Sequence, residues 1–355
     1  MSTTTKPVNQ KAWFLILPVI ICVAFSAILM RPSPVRPCSA PPSGTMNNMR
    51  DDTSAMVQAI LAHHAATFAG FGAEPAPKPT RQEAAYLAAL QACSTLGFIA
   101  HDAECLAQAW LAQSLRTGTF QPEQWPDAPE DFGLQPVPHA QAFAPCPEHL
   151  GLYAVLPDAD WVGRMARAGV PTVQLRFKSD NAAAIEREVH AAVRAVQGTG
   201  ALLFINDHWR TAIQAGAYGI HLGQEDLDAL APDELQALRA SGLRLGVSTH
   251  GYAEMVRADA VGPSYIAMGA VFPTTLKKMA TAPQGVGRLG VYARLLRHYP
   301  QVAIGGIGAE QFAPVQATGV GSIAVVRALV NAPDPEATAT HLMRLMEKNS
   351  QRASR

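Results

Sequence analysis

Two cations in the spacing Arg176-x-Lys178, a third at Lys277, and the carboxylates Asp207 and Asp226 are the side chains of this 355-residue chain best suited to chemistry. Three positive groups around one pocket would hold a diphosphate through charge-assisted hydrogen bonds. Two hard carboxylates beside a phosphate-rich ligand fit Mg²⁺, which takes oxygen donors and is often held by one or two carboxylates plus substrate phosphates. Gly305-Gly306 and the segment from Gly321 to Arg327 offer a second anion site, made of backbone N–H groups and a helix amino end. A diphosphate end and a monophosphate end in one pocket point to a transferase that joins two phosphorylated substrates. Each feature alone has a plainer reading: solvated Arg or Lys, Asp207 as a helix cap, and the glycines as turns. A zinc site from His208, His221 and His250 competes, but His221 lies inside a strand pattern and His208 follows the carboxylate assigned to Mg²⁺. No GxSxG elbow, P-loop or HExxH is present.

These groups converge only if the chain between them folds accordingly. From Gly151 onward, short apolar runs alternate with helical patterns, which is the mark of a parallel α/β domain. The expected strands begin at Gly151, Thr172, Ala201, Tyr218, Leu243, Ser264, Gln301 and Ser322, with amphipathic stretches at 181–197, 232–240, 291–298 and 310–318. Eight strand–helix units in about 200 residues suit a (β/α)₈ TIM barrel, with a doubly wound sheet as the alternative. The polar residues fall at or just past the strands' carboxyl ends: Arg176 and Lys178, Asn206 and Asp207, Gln224 and Asp226, Ser248 and His250, Thr274 and Lys277. In a barrel those ends share one mouth, where active sites are built.

The first 147 residues have a different texture. Residues 12–30 carry no charge and are long enough to span a membrane as a helix, so 1–45 is read as an anchor plus Pro-rich linker, or as an untranslated artefact preceding Met46 or Met49. Residues 46–116 are expected to be a helical extension with helical patterns at 53–68 and 81–112, 117–147 a linker, 148–349 the catalytic barrel and 350–355 a tail. A metal site from Cys93, Cys105, His101 and Asp102 can be drawn, but buried thiols are the simpler reading. The five cysteines form no CxxC pair and lie before residue 150, so the barrel chemistry proceeds without thiols. With 28 basic and 28 acidic residues the net charge is zero, which argues against a nucleic-acid partner. A cytoplasmic catalytic domain is expected, tethered to the inner membrane only if 12–30 is real, and a homo-oligomer is allowed.

The motifs QLRFK at 174–178, FINDH at 204–208, GIHLGQEDL at 219–227, GVSTH at 246–250, PTTLKKMATAPQG at 273–285, AIGGI at 303–307 and GSIAVVRAL at 321–329, in this order, resemble those of thiamine-phosphate synthases. The resemblance runs from about Gly151 to the region of Glu347. It implies condensation of hydroxymethylpyrimidine diphosphate with a thiazole phosphate, either the carboxylate or its tautomer, to give thiamine phosphate and pyrophosphate. It further implies that Gln174, Leu175, Arg176, Phe177, Lys178, Asn206, Ser248 and Lys277 hold the pyrimidine diphosphate, with Arg176, Lys178 and Lys277 stabilising the leaving group. Asp207 and Asp226 would hold Mg²⁺, and Thr274, Thr275, Leu276, Gly306, Val326 and Arg327 would receive the thiazole phosphate. The family often reads PTxTK, and Leu276 replaces its second Thr. A thiazole tautomerase on the same fold and a non-catalytic, membrane-tethered phosphate-binding barrel are the alternatives.

Overall fold

The computed structural model describes residues 44–274 and 281–353, which belong to one compact unit. The apolar segment 12–30 and the residues Thr275, Leu276 and Lys277 lie outside the described residues. Among those described, no helix is long and apolar enough to cross a membrane.

Eight parallel strands close into a barrel in sequence order: β1 (Leu152–Leu156), β2 (Thr172–Leu175), β3 (Leu202–Asn206), β4 (Gly219–Leu222), β5 (Arg244–Thr249), β6 (Tyr265–Met268), β7 (Gln301–Ile304) and β8 (Ser322–Val325). They coincide with the eight apolar runs of the sequence, and β1 pairs with β8 to complete the ring. The doubly wound alternative is therefore excluded. Three helices precede the barrel: α1 (Gly44–His64), α2 (Ala84–Thr95) and α3 (Ala100–Thr117). Around the strands lie α4 (Ala159–Arg167), α5 (Ala182–Ala195), α6 (Trp209–Ala215), α7 (Gln224–Ala229), α8 (Pro232–Ala240), α9 (Tyr252–Val261), α10 (Gly285–Leu295), α11 (Phe312–Gln316), α12 (Arg327–Val330) and α13 (Pro335–Ala353).

The single helical pattern expected over 81–112 is broken in the structure. Gly97, at φ 80, ends α2 in a left-handed turn before α3 begins, a conformation that glycine adopts without a Cβ penalty. Alanines at 88, 89 and 92 in α2, and at 103 and 107 in α3, are fully buried, so small side chains let these two helices approach closely. Residues 118–147 have little regular structure but bury Trp125, Phe132 and Phe143. The Trp125 indole N–H donates to the Tyr252 hydroxyl at 2.8 Å, and Phe132 stacks on Tyr252 with centroids 5.2 Å apart. The extension and the outer face of the barrel thus share one apolar core. Cys93 and Cys105 carry free thiols within it, and burial raises both thiol pKa values, that of Cys105 to about 12.

A second core fills the barrel interior. Its buried members are Leu150, Tyr153, Val155, Phe204, Tyr265, Ala267, Val302 and Ala324. Three rings of that size fit because two strand positions are glycine. A Cβ on Gly219 would lie 2.4 Å from the Phe204 ring, and one on Gly246 would lie 2.1 Å from the Tyr265 ring. The register places Gly246 directly opposite Tyr265 across β5 and β6, so the notch and the ring it admits are neighbours. Gly246→Ala should destabilise the fold by about 1–3 kcal/mol through overpacking. Urea denaturation checks this, and an unchanged midpoint would show that the ring can move aside.

Candidate active site

A cleft of about 610 Å³ opens at the carboxyl ends of the strands. The closed barrel brings Gln174, Arg176, Lys178, Asn206, Asp207, Asp226, Ser248, Thr274, Gly306, Val326 and Arg327 to its lining. Two members of the QLRFK motif are not there. The Leu175 side chain lies in the outer core and Phe177 packs against it, because successive strand residues point to opposite faces. Gln174 and Arg176 face the cleft, and the Phe177 carbonyl lies 3.0 Å from His208 Nε2.

The acidic side of the cleft is built under strain. Asp207, the only non-glycine residue with positive φ among those described, sits at φ 64. Asp is among the side chains that tolerate this region, yet it still costs energy, and such strain collects at functional sites. Asp207 stands at the end of the β3–β4 ladder, where its N–H donates to the His221 carbonyl at 3.1 Å. Asp207 does not cap the next helix, whose N-cap is His208. Its carboxylate instead pairs with the Lys178 ammonium. Asp226, in the first turn of α7, accepts a hydrogen bond from the Gly223 N–H at 3.3 Å. Burial, followed by the negative charge of neighbouring Asp207, raises the Asp226 carboxyl above the usual carboxylate range. A carboxylate whose ionisation is opposed by burial and by a second carboxylate marks a place where a cation is favoured. Among the described residues no three His, Cys, Asp or Glu side chains cluster as a metal-binding group. The Asp207/Asp226 pair suits a hard cation that completes its shell with water and phosphate oxygens.

The three histidines weighed as zinc ligands have separate partners. His208 faces the Phe177 carbonyl, and His250 Nδ1 lies 2.7 Å from Glu254 Oε2. His221 joins a buried chain that sequence reasoning missed. Gln174 Nε2 donates to the Tyr153 hydroxyl at 3.1 Å, and that hydroxyl lies 2.8 Å from the Tyr265 hydroxyl. Tyr265 in turn meets His221 Nδ1 at 2.7 Å, and His221 Nε2 meets Ser248 Oγ at 2.8 Å. Tyr153 and Tyr265 read in sequence as ordinary apolar strand residues. The only local signal was Gly246, whose missing Cβ admits a ring from the next strand. Burial raises both phenol pKa values, which keeps the hydroxyls protonated.

Across the cleft, Gly305 and Gly306 both adopt left-handed conformations, at φ 105 and φ 66. A Cβ on Gly305 would lie 2.5 Å from that of Ala270, and one on Gly306 would lie 2.6 Å from the Pro273 carbonyl oxygen. The pair is therefore required by conformation and by the approach of the loop after β6. Consecutive backbone turns of this kind form anion-binding concavities. Arg327, exposed at the start of α12, adds a positive charge on the same side.

Comparison with known proteins converges on the same stretch of chain. A family model described as thiamine monophosphate synthase matches residues 152–329. The thiamine-phosphate synthase of Neisseria meningitidis serogroup B is 54% identical over 195 residues, covering 55% of this chain and 94% of the relative. That of Cronobacter sakazakii is 52% identical over 203 residues, covering 57% and 95%. Among solved structures, a thiamine phosphate pyrophosphorylase from Pyrococcus furiosus matches at 26% identity and a TM-score of 0.49, covering 56% of this chain and 96% of that one. The matched stretch contains every strand of the barrel and all the cleft residues named above, and by it this chain belongs to the thiamine monophosphate synthase family.

Proposed function

We propose that this chain is a thiamine-phosphate synthase that condenses a hydroxymethylpyrimidine diphosphate with a thiazole phosphate, releasing pyrophosphate. The observation that carries this reading is the pairing, in one cleft, of a cationic and carboxylate side at β2 to β5 with a glycine-rich anion side at β7 and β8. In this reading the catalytic domain is 148–349. Arg176 and Lys178 hold the diphosphate, joined by Lys277 from outside the described residues, and the backbone of Gly306, Val326 and Arg327 receives the thiazole phosphate. Asn206 and Ser248 add hydrogen bonds at the pyrimidine end. Thr274 lies at the thiazole end of the cleft, with Thr275 and Leu276 following it.

The reaction breaks the bond between the pyrimidine methylene and the diphosphate oxygen. The thiazole nitrogen supplies the electron pair of the new C–N bond. Charge therefore builds on the departing pyrophosphate, and fixed cations aimed at it lower the barrier. Mg²⁺, when bound by Asp207 and Asp226, would add Lewis-acid stabilisation of that charge. Lys178 pairs with Asp207 at the cleft lining, which holds its ammonium at the side assigned to the diphosphate. Bond formation at the thiazole nitrogen removes no proton from it, so no general base is needed.

The buried chain beneath the cleft gives Ser248 a direction. The Gln174 amide N–H can only donate, so the Tyr153 hydroxyl accepts from it and has its own hydrogen to direct at the Tyr265 oxygen, an arrangement that leaves every donor in the chain with an acceptor. Tyr265 then donates to His221 Nδ1, which leaves the imidazole proton on Nε2, facing Ser248 Oγ. Ser248 accepts there and keeps its own hydrogen to donate into the cleft, as an anionic ligand requires.

Three outcomes follow from these roles. Asp226→Asn should lower Mg²⁺-dependent formation of thiamine phosphate by about 10²-fold or more with the fold intact; turnover near that of the wild type would remove Asp226 from the metal site. The same substitution should stabilise the metal-free protein. Because the folded carboxyl titrates above its unfolded value, ionising it costs stability as pH rises. Asp226→Asn should thus raise Tm at pH 8, and the gain should shrink towards zero only as pH falls below about 3, where the carboxyl is protonated in both states. Tyr265→Phe should lower kcat/KM for the diphosphate substrate about tenfold by removing the hydroxyl that links Tyr153 to His221, while KM for the thiazole phosphate holds. Equal change in both substrates would make the chain a packing element only.

A further inference from the structure

The helices that follow β1 and β2 are capped by their own side chains: Asp158 Oδ1 accepts from the Trp161 N–H at 2.8 Å, and Asn181 Oδ1 from the Ala184 N–H at 3.0 Å. α9, which follows β5, has Gly251 at its N-cap and so has no side chain to offer. Its acceptor comes from 151 positions earlier in the chain. Asp102, in α3 of the extension, accepts from the Ala253 N–H through Oδ1 at 2.9 Å. Asp102 is only 4% exposed, and a Cβ at position 251 would lie 2.0 Å from its Oδ2. The usual capping residues are thus sterically excluded from 251 while Asp102 occupies the place of their side chain.

The capped turn is continuous with the site. Glu254 Oε2 accepts from the His250 N–H at 2.8 Å, and Ser248, Thr249 and His250 line the cleft. A second anchor runs the opposite way. Arg288 of α10 lies between the Phe71 and Phe98 rings, 3.6 and 4.1 Å from their centroids, and donates to the Gly97 carbonyl at 2.7 Å. It also donates to Gln284 Oε1 at 3.2 Å, and the Gln284 N–H donates to the Ala270 carbonyl at 2.8 Å, in the loop after β6. The extension therefore grips the chain just beyond two of the loops that form the mouth.

We infer that the helical extension is a working part of the active site, with Asp102 a positioning residue that caps α9 from outside the barrel and so fixes the loop carrying Ser248 and His250. Asp102 lies outside the family match, which begins at residue 152. The kinetic readout rests on the synthase reading; the structural readout does not.

The test moves the cap. In the full chain, Asp102→Ala should raise KM for the pyrimidine diphosphate about fivefold, the loss of one capping interaction, with KM for the thiazole phosphate unchanged. Asp102→Asn, which keeps an acceptor oxygen, should stay within about twofold of the wild type. Gly251→Ser should be harmful in the wild-type chain, where it collides with Asp102. Combined with Asp102→Ala it should be beneficial, because Ser then caps α9 itself and restores KM; this holds as a test even if Asp102→Ala alone fails to fold. A double variant no better than Asp102→Ala, or a parallel rise in both KM values, would overturn the proposal. A chain that made no thiamine phosphate would sink the synthase reading alone. Amide exchange at Ala253 would still decide the cap: faster in Asp102→Ala and restored in the double variant supports it, and no change overturns it.

Discussion

Closing eight parallel strands into a ring sends every strand's carboxyl end to one rim and lets only alternate residues face inward. The rest of the molecule answers to that constraint. Inward positions low in the barrel must be filled, and Tyr153, Phe204 and Tyr265 fill them against the notches at Gly219 and Gly246. Inward positions higher up are polar, and the hydroxyls of the filling rings reach them from below. The same side chains thus pack the floor and orient the donors above it, which makes the cleft chemistry dependent on the barrel core.

Charge is arranged around that floor with little slack. Asp207 is held in a left-handed conformation that few side chains tolerate, burial and then the charge of Asp207 raise the pKa of Asp226, and Lys178 is paired with Asp207. Apart from the Lys178 pairing, this arrangement does not favour the protein on its own. It does favour the arrival of a cation and a polyanion together, since each relieves a cost the other would meet alone. A whole-chain net charge of zero conceals this local separation of sign.

Much of the fold and the cleft was legible in the sequence because both depend on local patterns. Apolar runs of strand length, ended by polar residues or glycine, located all eight strands and the residues at their mouths. Reading a motif as a contiguous block failed where the strand period governs, which is why Leu175 and Phe177 fall outside the cleft lining. Tyr153 and Tyr265 were invisible for a different reason. Their roles depend on hydroxyl contacts across the barrel, 112 positions apart in the chain, and no local pattern encodes such a distance. Asp102 belongs to the same class: the sequence offered it only as a possible ligand beside Cys93, Cys105 and His101, and only tertiary packing sets it against Ala253.

In the proposed reaction one cleft joins two phosphorylated substrates and expels pyrophosphate. The most direct measurement is product stoichiometry with the full chain, Mg²⁺, hydroxymethylpyrimidine diphosphate and the thiazole phosphate carboxylate. Equal amounts of thiamine phosphate, pyrophosphate and the carbon dioxide lost from the carboxylate are expected, with no thiamine phosphate or pyrophosphate formed when one substrate is left out. Conversion of the thiazole phosphate to its tautomer with no pyrophosphate released, or binding of both substrates without turnover, would contradict the account.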